Sequence, residues 1–346
     1  MTRREVFGLL AALPMLAQDK QDQNKVLRNF GGAPAGFPVR SRAGRGAPGG
    51  FDFVGHCHSL GLGVVETRLA GASPEAIRTF RARIDSYGMR AIFDVGYPRD
   101  ANGVAAFDAS VKAAKDCGAV SLHAAMTGRR YEDFDTFEAF KKDFDRCKQS
   151  IALAEPVLRK YRIPLGIENH KGWRSAEQAA WLKSVSSEWV GVHFDFGNNL
   201  SLCEDPKDTL HNLLPFVFAS HIKDMSVEPY EDGFLLSEVP LGEGILDLKG
   251  MVATLRGKNP NIPLDLEMIT RDPLKIPVYT PKYWVTFDDS YSPLPGRDLA
   301  HTLDLVRKNK PRSPLPHTTG MSAEAQLHLE DENVAKSLEY ARANLG

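Results

Sequence analysis

The strongest constraint on the fold comes from four short apolar runs between residues 163 and 268, each ending in a polar residue. The runs end at Glu168, Asp195, His221 and Glu267. Short apolar runs of this kind are typical of buried parallel strands, which are covered on both faces. We therefore predict four strands that each deliver one polar side chain at the carboxyl end. Three carboxylates and one imidazole suit a divalent metal ion such as Mn, Co, Mg or Zn.

The alternation of strand and helix extends over most of the chain. Counting from Val26 gives eight strand candidates, and polar residues also recur near the ends of earlier strands, at Glu66, Asp94 and His123. Eight βα units with functional side chains at the strand ends describe a (β/α)8 TIM barrel. A doubly wound open sheet is disfavoured, because neither GxGxxG nor GxxxxGK[ST] follows the first strand.

The two ends of the chain differ from this pattern. Residues 1–18 carry Arg3 and Arg4 before an apolar stretch, which predicts a twin-arginine export signal, and residues 19–25 read as a linker. The barrel is expected over residues 26–310, and residues 311–346 form a Pro-rich segment and a C-terminal helical appendage. The signal indicates a periplasmic or secreted protein; an N-terminal amphipathic helix of a cytoplasmic enzyme is the alternative. No later stretch is apolar enough to span a membrane in the mature protein.

Three segments are expected to be loops. Residues 31–50 are rich in Gly and Pro, and residues 224–244 are long enough to form a lid over the barrel mouth. Residues 270–295 are rich in Pro, Tyr and Trp and begin at the ligand end of a strand. They form either an aromatic wall of the pocket or a surface decoration.

Charge and cysteine content exclude several classes of protein. The net charge of -1 over 346 residues gives no basic surface for nucleic acid. The four cysteines are widely spaced and include no CxxC pair, so we expect buried free thiols. His56, Cys57 and His58 are not expected to share a metal, because neighbouring positions on a helix diverge. The sequence leaves open whether the chain forms a homo-oligomer.

Four motifs carry a resemblance to a known family: Ile167-Glu168-Asn169-His170, Val192-His193-Phe194-Asp195, Ser220-His221-Ile222-Lys223-Asp224 and Leu266-Glu267. Together they resemble the sugar phosphate isomerase/epimerase superfamily, also described as xylose isomerase-like TIM barrels. The resemblance implies that Glu168, Asp195, His221 and Glu267 bind one divalent metal ion. It also implies that Glu168 and Glu267 act as acid and base on a sugar.

Five further residues are candidates for substrate binding. His170 and Lys223 follow the ligand strands and can point toward substrate oxygens. His193 alternates with Asp195 and so shares its inward face. Glu66 and His123 lie at other strand ends and are expected to line the pocket.

Several functions share this residue pattern. The first is a metal-dependent isomerase or epimerase that removes a proton next to a carbonyl group through an enediolate. A lyase that eliminates the aglycone from a 3-keto glycoside would use the same first step. AP-endonuclease-like phosphodiester cleavage is disfavoured, because it needs a cluster of metals with more ligands and a basic DNA surface. A non-catalytic sugar-binding barrel would not need both Glu168 and Glu267. If the protein is one of these sugar enzymes, its substrate is a small sugar, keto sugar or glycoside.

Overall fold

The computed structural model describes residues 27–44, 50–69, 71–288 and 293–346. The predicted export signal at 1–18 and the linker at 19–25 lie outside these residues, so both stay predictions. Among the described residues, no helix combines the length and apolar character needed to cross a bilayer.

Eight parallel strands close into a barrel, which confirms the predicted fold. In spatial order each strand pairs with its neighbour along the chain, and the first strand pairs with the last. The strands are β1 (Leu27–Gly32), β2 (Leu62–Thr67), β3 (Arg90–Asp94), β4 (Ser121–Ala124), β5 (Leu165–Glu168), β6 (Val190–Asp195), β7 (Val217–Ile222) and β10 (Leu264–Leu266). Closure removes every free edge of the sheet and directs all carboxyl ends to one face.

The helices lie between the barrel strands and after the last of them along the chain. They are α1 (Pro38–Ala43), α2 (Phe53–Ser59), α3 (Pro74–Tyr87), α4 (Val104–Asp116), α5 (Arg130–Asp133), α6 (Phe137–Tyr161), α7 (Ser175–Val185), α8 (Pro206–Leu213), α9 (Leu248–Lys258), α10 (Pro281–Trp284), α11 (Gly296–Lys308) and α12 (Ala323–Asn344). Local signals set the ends of α3: the Ser73 side chain accepts from Ala76 N–H, and Gly88 ends the helix at φ 63°.

All three predicted loops contain regular structure. The stretch 31–50 holds the end of β1, a 3-10 turn (Pro34–Gly36) and α1. The predicted lid at 224–244 is a β-hairpin of β8 (Asp224–Tyr230) and β9 (Gly233–Val239), extended into a three-stranded sheet by β11 (Leu274–Ile276). The length of this segment suggested a loop, but Asp232-Gly233 between the two strands is a hairpin turn signal.

The aromatic segment after β10 builds a second apolar core. Tyr283 is fully buried and packs with Tyr131, Phe234 and Ile276 beneath the hairpin sheet. Trp284 also packs against this core. The described part of 270–295 therefore anchors the hairpin beside the barrel mouth.

The predicted C-terminal appendage is helix α12, and it ties both ends of the described chain together. Glu330 on α12 accepts hydrogen bonds from the backbone N–H groups of Val39 and Arg40, both at 2.8 Å. These N–H groups lie in the first turn of α1, where no helical partner exists. All four cysteines are buried and free, as expected.

The barrel interior is layered. A small apolar cluster consists of Val64, Ile92 and Ala219. Each of these residues precedes a polar one by two positions on the same strand, so the polar side chains share the inward face one step closer to the mouth. The pairs are Val64 and Glu66, Ile92 and Asp94, and Ala219 and His221.

Gly31 makes room for this polar interior. A Cβ atom at Gly31 would lie 1.8 Å from Asp265 Oδ1 and 2.9 Å from Val64 Cβ. We expect Gly31→Ala to lower the free energy of unfolding by about 1–3 kcal/mol, as overpacked cores do. Gly257→Ala is the matched control, because a Cβ atom there meets nothing within 4 Å. Urea unfolding measures both; equal stability of the two variants would contradict the crowding at Gly31.

Candidate active site

The four predicted ligands converge at the carboxyl ends of three neighbouring strands and just beyond a fourth. Glu168 ends β5, Asp195 ends β6, His221 lies near the end of β7, and Glu267 follows β10. One ligand atom from each residue lies within 4.8 Å of those of the others, and all four side chains are buried.

Backbone and amide groups hold two of the carboxylates in place. Asp195 Oδ1 accepts from the N–H groups of Gly197 at 2.9 Å and Asn198 at 2.7 Å. The Asn198 side chain then donates to Glu168 Oε1 at 2.9 Å. Asp195 is therefore anchored through one oxygen, which leaves Oδ2 for a cation.

Asn169 locks the ends of β5 and β6 together. Its side-chain oxygen accepts from Asp195 N–H at 2.7 Å, and its amide donates to the Asp195 carbonyl at 2.9 Å. Because both bonds are buried, they fix the backbone that carries Asp195 relative to Glu168.

The Lys223 ammonium group sits among the carboxylates. It lies 2.6 Å from Asp195 Oδ2 and donates to Glu267. Burial disfavours the ionised form of both carboxyl groups. At Glu267 the positive charges of Lys223 and His221 outweigh burial and hold the pKa at about 2. At Asp195, burial dominates and raises the pKa to about 6. Lys223 therefore supplies positive charge where a metal ion would bind.

His221 is oriented by Glu66. His221 Nε2 lies 2.8 Å from Glu66 Oε2, so a proton on Nε2 is donated to that carboxylate. Nδ1 then lies 3.8 Å from Glu168 Oε1 and 3.7 Å from Glu267 Oε1, beyond hydrogen-bond distance. A carboxylate on one ring nitrogen commonly directs the other nitrogen to a metal.

These residues fit a divalent cation. Asp195 Oδ2 and His221 Nδ1 are buried and make no hydrogen bond within the described structure, although Lys223 pairs ionically with the former. Oxygen ligands suit Mg²⁺ and Mn²⁺, and a single imidazole is also acceptable to Co²⁺ and Zn²⁺. The four ligands do not choose among these ions.

The remaining predicted residues occupy three different places. His123 joins the site from β4: its Nδ1 bonds Asp94 Oδ1 at 2.5 Å, and its Nε2 lies 3.5 Å from Glu168 Oε2. His170 is partly exposed, and its Nδ1 lies 3.3 Å from the Gly128 carbonyl oxygen. His193 is buried on the Glu66 side of His221.

A cavity of about 550 Å³ adjoins the site at the ends of β3 and β4. Its lining includes Arg68, Asp94, Tyr97 and His123. Because His123 also reaches Glu168, the cavity meets the ligand cluster through this imidazole.

Sequence reasoning missed several buried polar residues near the site. Lys171 is only 4% exposed, and its ammonium group donates to the neutral side chain of Asn198. Burial, followed by the charge of Lys223, lowers the pKa of Lys171 to about 8. Glu238 from the hairpin pairs with Arg271 at 2.6 Å. The position of Lys171, three residues after Glu168, is the one local signal that could have identified it.

The chain belongs to the xylose isomerase-like TIM barrel family, whose model matches residues 50–285. A crystal structure of D-psicose 3-epimerase is 16% identical and has a TM-score of 0.56, covering 92% of this chain and 99% of that one. The 3-keto-D-glucoside 4-epimerase of E. coli is 15% identical with a TM-score of 0.51, covering 74% of this chain and 96% of that one. These two likenesses show the fold.

A curated protein shares a shorter region. The 3-oxo-isoapionate decarboxylase of Pectobacterium atrosepticum is 29% identical over 109 residues, which are 31% of this chain and 40% of that protein. The match therefore spans less than half of the relative.

Lys223 offers a direct test of charge balance at the site. We expect Lys223→Met to destabilise the protein in EDTA by about 3–5 kcal/mol, because it leaves buried carboxylates without their cation. Added Mn²⁺ should restore much of the loss, which urea unfolding with and without the ion measures. Lys207→Met, which removes an exposed pair with Asp247, is the control and should change little. Equal stability of Lys223→Met and wild type in EDTA would show that the ammonium group does not balance the site.

Proposed function

We propose that the protein is a divalent-metal-dependent sugar isomerase or epimerase that removes a proton next to a carbonyl group. The observation that carries the proposal is the convergence of Glu168 and Glu267 on one buried site with Asp195 and His221. A purely sugar-binding pocket does not require two carboxylates beside a cation site. The family membership and the epimerase folds support the same reaction class.

A metal ion held by Glu168, Asp195, His221 and Glu267 would polarise the carbonyl oxygen of the substrate. The residues of the chain then handle the proton. One of the two glutamates takes it from the carbon beside the carbonyl, leaving an enediolate, and the other returns a proton to carbon. Return on the opposite face gives the epimer; return at the neighbouring carbon gives the isomer.

The site suits a small polar substrate. The adjoining cavity of about 550 Å³ is within the range of small-molecule pockets, and its lining offers Asp94 and Tyr97 as groups for hydroxyl recognition. The export predicted from residues 1–18 favours an unphosphorylated keto sugar or glycoside. Asn198 places Lys171 close to Glu168, where its amine can meet a substrate oxygen.

A second candidate reaction is decarboxylation of a 3-oxo sugar acid. The buried Lys171 ammonium group has a neutral hydrogen-bond partner, so it could donate to a substrate carboxylate. In this reaction the bond to the carboxyl carbon breaks, CO₂ leaves, and the electron pair forms an enolate that is later protonated at carbon. The partial similarity to the 3-oxo-isoapionate decarboxylase favours this candidate. β-Elimination from a 3-keto glycoside shares the enolisation step with the epimerase reaction.

Solvent exchange tests the proposed first step. We expect the Mn²⁺-loaded protein in D₂O to place deuterium on the carbon next to the carbonyl of a ketose or 3-keto glycoside, which NMR detects. Glu168→Gln and Glu267→Gln should each slow exchange by about 10²–10⁴-fold, the usual contribution of an acid or base. Glu75→Gln, on the exposed face of α3, is the control and should exchange at the wild-type rate.

The products separate the candidates. A deuterated epimer or isomer supports the proposal, a released aglycone indicates the lyase, and CO₂ from a 3-oxo sugar acid without exchange of ketoses indicates the decarboxylase. If neither solvent exchange nor release of an aglycone or CO₂ is detected, all three enzymatic candidates are wrong and a sugar-binding protein is favoured.

A further inference from the structure

A second group of possible metal ligands lies beside the first, on the Glu66 side of His221. It comprises Glu66, His123, His193 and His221, all buried, with one ligand atom from each within 4.8 Å of those of the others. These residues come from four strands and are brought together only by barrel closure.

His193 is the side chain that most needs a partner. It is 0% exposed, and neither ring nitrogen makes a hydrogen bond in the described structure. Its Nε2 lies 3.7 Å from Glu66 Oε2. A buried imidazole with both nitrogens unsatisfied is costly, and buried polar groups normally have a partner.

The other members are already arranged as ligands. Asp94 Oδ1 lies 2.5 Å from His123 Nδ1, which leaves the buried Nε2, without a hydrogen bond in the described structure, as the ligating nitrogen of this imidazole. Carboxylates bonded to imidazoles in this way hold metal ligands in orientation. The 3.7 Å separation of His193 Nε2 from Glu66 Oε2 is close to the roughly 3.4 Å expected between ligands at about 2.0–2.1 Å from a tetrahedral ion.

A second buried carboxyl group lies in this layer. Asp265 is fully buried, and both of its oxygens lack a hydrogen bond within the described structure. It lies opposite His221 in the β7–β10 pairing and faces the space left by Gly31.

We propose that Glu66, His123 and His193 bind a second divalent metal ion next to the predicted one. His221 is assigned to the first site, because a neutral imidazole has one ligating nitrogen and Nδ1 faces Glu168 and Glu267. The second site has two imidazoles for one carboxylate, a composition that favours Zn²⁺ over Mg²⁺ or Mn²⁺. The first site, with three carboxylates, favours the harder ions.

Metal stoichiometry tests this proposal on the full-length protein. After removal of metals with EDTA, the protein is dialysed against Zn²⁺ alone, Mn²⁺ alone or both, and bound metal is measured by mass spectrometry. We expect two ions per chain from the mixture. Glu66→Gln and His193→Gln should each lose one ion, and Glu267→Gln should retain a zinc ion.

Glu66→Gln is the more selective variant, because its amide oxygen can still accept from His221 Nε2. His170→Gln, outside both groups, is the control for substitutions near the mouth, and circular dichroism checks that each variant folds. X-ray absorption at the zinc edge of Glu267→Gln should show two imidazole ligands.

Two results would overturn the second site. One is a wild-type protein that binds no more than one ion from the mixture; the other is full retention of both ions by Glu66→Gln and His193→Gln. If the wild-type protein binds one ion and only Glu267→Gln loses it, the proposal of a second site is wrong and the proposed reaction still stands. Exchange at the wild-type rate in both Glu168→Gln and Glu267→Gln would instead count against the proposed reaction, whatever the number of bound ions.

Discussion

The structure around the barrel mouth depends on how buried negative charge is balanced. Glu168, Asp195 and Glu267 are brought within a few ångströms of one another in a buried region. Carboxylates cannot stay ionised there without cations and hydrogen bonds, since the cost of removing each from water is several kcal/mol. Lys223 and His221 provide positive charge on two sides. The same arrangement that stabilises the protein thus prepares a cation site.

This constraint explains why so many supporting residues are amides or backbone N–H groups. Asn169 and Asn198 add hydrogen bonds without adding charge, and they link the ends of β5 and β6. The hairpin of β8 and β9 contributes in another way, because it begins directly after Lys223 and returns Glu238 to pair with Arg271. The second apolar core, which includes Tyr283, holds the hairpin and this Glu238–Arg271 pair beside the barrel mouth.

The sequence predicted the features that depend on local pattern. Apolar runs ending in Glu168, Asp195 and His221 predicted buried strands, and the structure has β5, β6 and β7 there. The hairpin was missed, although Asp232-Gly233 is a recognised turn signal that could have indicated it. The deeper group around His193 could not be found from spacing, because strand register and barrel closure decide which inward side chains meet.

The central claim is that Glu168, Asp195, His221 and Glu267 bind a divalent ion, and that this ion takes the place of the Lys223 ammonium group beside Asp195. Anomalous diffraction from crystals of the Mn²⁺-loaded protein tests it most directly, because it locates the ion and shows the lysine. We predict a manganese peak about 2.0–2.3 Å from one atom of each ligand, with Lys223 moved away from Asp195. A map without manganese among these four residues, with Lys223 still between Asp195 and Glu267, would contradict it.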